Sequence, residues 1–186
     1  MAIQPINQIT QEIKAMMMTA RAATALEINK QLLKTYWHIG RIIIEHEQDG
    51  NLRAQYGKRL LSELAKELTK ELGRGFSQSN LFNMRSFYTA YPNFPDASGK
   101  LTWSHYYELI SVSDQNARAF YEKECVNADW SVRELKRQVN TSLFERLLLS
   151  DGKANQETVL TLSREGILIM NRSLSSKTRM YSSFLA

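Results

Sequence analysis

Residues 57–90, GKRLLSELAKELTKELGRGFSQSNLFNMRSFYTA, decide the fold. Leu60, Leu61, Leu64, Leu68 and Leu72 recur at helical spacing and predict an amphipathic helix over 57–72. Gly73-Arg74-Gly75 breaks it. Ser77 is a good N-cap, because its hydroxyl can accept one of the free amides of a first helical turn. A second helix then runs from Gln78 to about Ala90, and Tyr91-Pro92-Asn93-Phe94-Pro95-Asp96 cannot continue it. Helix, glycine turn and helix in this order predict a helix-turn-helix, whose second helix enters the major groove of DNA. On a helical wheel Leu81, Met84, Phe87, Tyr88 and Tyr91 form the core side of that helix. Gln78, Ser79, Phe82, Arg85, Ser86 and Thr89 form the other. Glutamine can pair with adenine, arginine with guanine, and serine with a base or a phosphate. Phe82 is the misfit: it can touch a thymine methyl, stack on an unpaired base, or pack against another lobe or subunit. Any helical hairpin shares this pattern, so a protein-interaction role stays open beside DNA binding.

Upstream, residues 6–47 read as helix throughout. Ile6, Ile9, Ile13, Met16, Ala20 and Ala23 alternate steps of three and four along one face. The phase then slips to a second seam at Leu26, Leu33, Tyr36, Gly40 and Ile43, which bends, overwinds or splits the helix. From Leu32 to Ile44 the apolar face widens, implying burial on several sides. Gly40 costs roughly 1 kcal/mol inside a helix, which close approach of another helix would explain. The Ile/Met seam has no obvious neighbour in sequence, so a homo-oligomer, most simply a dimer, is expected, with packing back on the chain's own core as the alternative.

Downstream, a short helix is predicted over 103–110, and Ser113 or Asp114 caps the next, which carries Ala117, Phe120, Tyr121 and Cys125. Ser131 and Glu134 have capping-box spacing. After them Val132, Leu135, Val139, Leu143 and Leu147 predict one helix of five turns. Thr158–Leu162 and Gly166–Met170 are the only stretches with a hint of strand alternation. The fold class is therefore all-α: a long N-terminal helix, a helix-turn-helix (winged-helix-like) lobe at about 57–90 and a second helical lobe at about 101–150, together a 1–150 domain. A tail, 151–186, follows.

The 186 residues carry a net charge of +5, and the excess sits in one block. Residues 51–100 hold eight basic side chains against four acidic ones. Such a block points to an anionic partner, nucleic acid first, or to a solvated helix face. Lys58, Arg59, Lys66 and Arg74 are the candidate phosphate contacts, and Arg85 and Gln78 the candidate base readers. Arg133 and Arg137, four residues apart on a later helix, are a second candidate phosphate contact, or else solvent arginines beside carboxylates. With eight glycines, three prolines and one cysteine, neither an all-β sandwich nor a disulfide framework is expected, and the reducing cytoplasm is the natural setting. No membrane-spanning run and no signal peptide are read.

No catalytic constellation emerges. Asp129 with Glu134-Leu135-Lys136 resembles the spaced acid and Glu-x-Lys of metal-dependent nucleases. Those groups converge from strands, whereas positions i and i+2 of a helix point about 200° apart. His38, His46, His105 and Cys125 have no zinc spacing, and Cys125 reads as a small buried hydrophobe. Neither cofactor, metal nor small-molecule substrate is implied.

Five ordered motifs carry a family resemblance. They are Tyr36-Trp37-His38-Ile39-Gly40, Tyr56-Gly57-Lys58-Arg59-Leu60-Leu61, and Gly75-Phe76-Ser77 with Asn80-Leu81, Met84-Arg85 and Phe87-Tyr88. Then come Leu101-Thr102-Trp103-Ser104-His105-Tyr106 and Trp130-Ser131-Val132-Arg133-Glu134-Leu135, running on to Leu143-Phe144-Glu145-Arg146-Leu147. Over roughly residues 22–150 the chain resembles the N-terminal domain of the bacterial YhcG-type nucleases. The resemblance implies a helical DNA-binding domain that family members couple to a C-terminal nuclease domain of the PD-(D/E)xK superfamily, often near restriction-modification or other defence genes. It fades after Ser150. The expectation is a targeting domain without its catalytic half, as a natural short form, a cloned domain or a frameshifted product.

Overall fold

The computed structural model describes residues 3–49, 54–94, 99–150 and 156–165. Among them every regular element is an α-helix, so the fold is all-α. The chain divides into two compact units, residues 1–102 and 103–186.

The first unit holds α1 (Ile3–Asp49), α2 (Ala54–Leu72) and α3 (Gln78–Ala90). Helix α1 is one continuous helix of 47 residues, so the phase slip after Ala23 does not split it. The slip instead marks where the helix changes surroundings. Residues 6–28 are exposed, while Leu33, Gly40 and Ile43 of the second seam are buried against α3. The burial expected on several sides is not found, because Leu32 and Ile42 face solvent. Packing on α3 uses the one side that Gly40 opens. A Cβ built on Gly40 would lie 2.1 Å from the Met84 carbonyl oxygen, so the expected close approach is there and its partner is α3. Around it, Trp37 meets Tyr88 edge-on at 4.9 Å and donates its indole N–H to the Tyr91 carbonyl at 2.7 Å. Phe87 packs edge-on against Tyr91 and Phe94. Farther up α1, the Asn29 amide donates to the carbonyls of Gly99 (2.8 Å) and Leu101 (2.7 Å), closing the unit's last segment on to the helix.

The second unit holds α4 (Trp103–Leu109), α5 (Gln115–Asn127), α6 (Val132–Asn140), α7 (Leu143–Ser150) and α8 (Gln156–Glu165). Helix α5 is central and touches the other four. Of the two proposed caps, Asp114 is the one used, accepting from the Ala117 amide at 2.6 Å. Ala117, Phe120, Tyr121 and Cys125 are buried as their spacing predicts.

Three expectations fail here, each for a physical reason. The five-turn helix from Val132 is two helices, with Ser142 left-handed at φ 51° between them. Asn140, Thr141 and Ser142 are residues whose side chains compete with helical backbone bonding. The ends so created are served by another helix: the buried Tyr121 hydroxyl donates to the Gln138 carbonyl (3.4 Å) and accepts the Phe144 amide (3.1 Å). Second, only half of the capping box forms. Ser131 accepts the Glu134 amide at 3.2 Å, but the Glu134 carboxylate turns to Arg137 and Gln138. Third, Thr158–Leu162 is helical. Leu162 and Ser163 of α8 are buried, and Ser163 donates to the Asn116 carbonyl of α5 at 3.2 Å. Tertiary packing against α5 overrides an apparent alternation of period two. Gly166–Met170 lies outside the described residues. No described helix is long and apolar enough to cross a membrane.

Candidate nucleic-acid interface

Helices α2 and α3 pack together, joined by a tight turn in which Gly73 (φ 83°) and Gly75 (φ 124°) adopt backbone angles that side chains resist. Ser77 then caps α3, its Oγ accepting the Asn80 amide at 3.2 Å, and the Asn80 side chain donates back to the Gly75 carbonyl. Turn and helix start are thereby locked to each other. Leu81, Met84 and Phe87 of α3 are buried, and Tyr88 and Tyr91 are half-buried, on the side the wheel assigned to the core. No strand, and so no β-wing, flanks the helix pair among the described residues.

The candidate residues separate by environment. Gln78 and Ser79 are exposed in the first turn of α3, and Phe82 follows one turn on with 52% of its surface exposed. Ser86 is half-buried. Arg85 is half-buried and already engaged. Its Nε donates to Glu47 near the end of α1 at 2.7 Å, in an ion pair whose carboxylate is only 18% exposed. The wheel could not place α1 against this edge of α3, so it left Arg85 on the open side. On α2, Arg59, Glu63, Lys66 and Lys70 fall in one exposed stripe opposite Leu61, Leu64 and Leu68, and Arg74 continues it into the turn. Arg59 pairs with Glu63 at 3.0 Å, an exposed contact of little energetic weight. Lys66, Lys70 and Arg74 form no ion pair among the described residues. The Lys58 side chain lies outside the described residues, although its backbone is in α2.

Arg133 and Arg137 belong to α6 of the second unit. Arg133 is exposed, whereas Arg137 clasps Glu134 through Nη2 (2.7 Å) and Nε (3.1 Å). Those hydrogen bonds hold the Glu134 carboxyl below the usual carboxylate range. Lys136 points elsewhere, to Glu108 at 3.3 Å. Glu134 and Lys136 therefore do not converge, and the geometry of a Glu-x-Lys metal site is not built here. Burial pushes the Cys125 thiol up to about 12, with Glu122 and Glu124 adding to the effect, which disfavours the thiolate a nucleophile needs.

Two participants escaped sequence reasoning. Lys70 extends the stripe, and its spacing of four from both Lys66 and Arg74 was available to find it. Glu47 neutralises Arg85 from a distance of 38 residues, and no local pattern announces that.

Residues 12–146 match the DUF1016 N-terminal domain. The chain belongs to the DUF1016 N-terminal domain family. That match runs from the exposed part of α1 into α7, so both units contribute to the family's domain. A curated relative, the Escherichia coli (strain K12) protein named "Putative nuclease YhcG", is 37% identical over a 180-residue alignment. The alignment takes in 80% of this chain and 48% of the relative. The chain thus spans about half the length of that relative. No solved structure matches the chain. Membership in the DUF1016 N-terminal domain family agrees with the resemblance drawn from the motifs at Tyr36, Tyr56, Gly75, Leu101 and Trp130.

Proposed function

We propose that this chain is a DNA-binding module that directs the nuclease activity of a defence-associated system and performs no catalysis itself. The observation that carries the reading is the α2–α3 pair. A capped helix presents Gln78, Ser79 and Phe82 at its exposed start, and the preceding helix and turn carry Lys66, Lys70 and Arg74 without partners among the described residues. Cations of that kind suit phosphate oxygens, and the exposed start of the capped helix suits a groove. The relation to a protein named as a nuclease, about half of whose length this chain spans, supports a targeting role. The divergence of Glu134 and Lys136 supports the absence of catalysis in the described part.

The test is a salt-titrated binding assay with the full chain on duplex, single-stranded and branched DNA. Binding should weaken linearly in log–log form, and Lys66→Ala and Lys70→Ala, each removing one cation from the phosphates, should each lower the slope by about one unit. Affinity independent of salt, or no binding to any of the three, would refute the reading. Magnesium-dependent cleavage by the pure chain, abolished by Glu134→Gln or Lys136→Ala, would refute the non-catalytic part.

A further inference from the structure

The first half of α1 is a rod with nothing described against it. Ile6, Ile9, Ile13 and Met16 are each between 54% and 72% exposed, and Ala20 and Ala23 continue their line in the open. The spacing of three and four residues makes this a single seam with the period of a left-handed supercoil. Isolated helices of this kind are marginal in water, and this stretch is rich in threonine and β-branched residues, which weaken it further.

We infer that this seam pairs with the same seam of a second copy, in antiparallel orientation, with Ile13 of each chain facing Met16 of the other. Three observations select this occupant and register. The first is side-chain volume. In an antiparallel pair centred between Ile13 and Met16, Ile6 meets Ala23 and Ile9 meets Ala20, so a large residue opposes a small one at every outer layer. A parallel pair would stack isoleucine on isoleucine at one end and alanine on alanine at the other, a taper along the pair that the antiparallel register avoids. The second is length. In this register the start of one helix, Ile3, lies beside Leu26 of the other. At Leu26 the free rod ends, because Gly99 backs on to the Leu26 carbonyl and Asn29 holds the carbonyls of Gly99 and Leu101. The available rod is used to its end without collision with that packed segment. The third is area. The four large seam residues expose on the order of 450 Å² per copy, so pairing removes about 900 Å² from them alone. With the alanines and flanking side chains this reaches the ~1,200–2,000 Å² of a specific interface. On the flank that carries Glu12 the nearest residue of the second copy is Thr19, and on the other flank Met17 lies beside Thr10.

Light scattering coupled to size-exclusion chromatography of the full chain at tens of micromolar should give twice the 21.5 kDa chain mass. Ile13→Glu with Met16→Glu, which sets four carboxylates at the centre of the seam, should give the single-chain mass under the same conditions. A wild-type monomer, a higher oligomer, or a double variant that remains dimeric would overturn the inference. Orientation has its own readout. Under mild oxidation a mixture of Ile9→Cys and Ala20→Cys chains should form a disulfide-linked heterodimer, and Ile9→Cys alone should not cross-link. Self-cross-linking of Ile9→Cys would mean a parallel pair and would also overturn it.

Discussion

Gly40→Ala should destabilise the chain although alanine is the better helix former. Replacing glycine in a helix interior gains roughly 1 kcal/mol in propensity. Against this stands the Met84 carbonyl oxygen, 2.1 Å from where the new methyl would sit, with the Met84 carbonyl carbon at 2.7 Å and Tyr88 Cβ at 3.0 Å. Ordinary contact begins at 3.4 Å, so the nearest atom must retreat by 1.3 Å, and it is backbone, not a side chain that can rotate away. Moving it drags the wholly buried Met84 and Phe87 and loosens the Trp37–Tyr91 hydrogen bond. Overpacking of a rigid core costs typically ~1–3 kcal/mol, and a backbone obstacle belongs at the upper end or beyond. After the propensity gain, a net loss of about 2 kcal/mol remains, which for a chain of this size lowers the melting midpoint by roughly 4–8 °C. Thermal unfolding followed by circular dichroism, with urea unfolding as a check, measures it. A midpoint equal to or above that of the wild type would show that α1 and α3 do not approach so closely.

Tyr121→Phe should cost about 1–3 kcal/mol, because it strands the buried Phe144 amide; faster hydrogen exchange at that amide would report the loss, and unchanged exchange would contradict it. Cys125 should resist alkylation at pH 8 in the folded chain and react once urea unfolds it. Its folded value lies above the ordinary 9.0, so the stability it contributes is complete below about pH 9 and is lost as pH climbs towards 12; a stability flat across that window in wild type and Cys125→Ala alike would argue against the burial effect. Phe82→Ala should leave stability within about 0.5 kcal/mol, since the ring is half exposed, and should weaken DNA binding by ~1–3 kcal/mol if the ring stacks on a base; DNA affinity equal to that of the wild type would remove the ring from the interface.

What the sequence discloses depends on the range of the interaction behind it. Caps at Ser77, Asp114 and Ser131 reach only three residues ahead; Ser77 and Ser131 were legible, and Asp114 was one of two candidates beside Ser113. The core side of α3 was legible because one strong stripe sets it. Gly40 announced a close approach through its cost, though not which helix supplied it. The α6–α7 break was hidden, because the stripe from Val132 to Leu147 is continuous while the Tyr121 hydroxyl that serves both new ends comes from α5. The ion pair of Arg85 was hidden for the same reason, since Glu47 lies 38 residues away and a wheel contains no neighbours. For the candidate interface, exposure and residue type were readable at Gln78, Ser79, Phe82, Lys66 and Arg74. Pairing was not, because an ion pair is decided by where distant backbones come to rest.

The hydroxyl of Tyr121 also makes the corner at Ser142 depend on a second helix. Residues 131–150 hold part of the corner at Ser142 themselves: the Thr141 hydroxyl donates to the Gln138 carbonyl and accepts from Arg146, and the Ser142 amide donates to the Val139 carbonyl. Helix α5 adds its phenol to both new helix ends. Because α5 precedes the corner in the chain, a nascent polypeptide carries this brace before the segment it steadies. A synthetic peptide of residues 131–150 lacks that brace and is expected to hold the corner less firmly than the full chain, so the corner is shared between its own residues and a helix that precedes them.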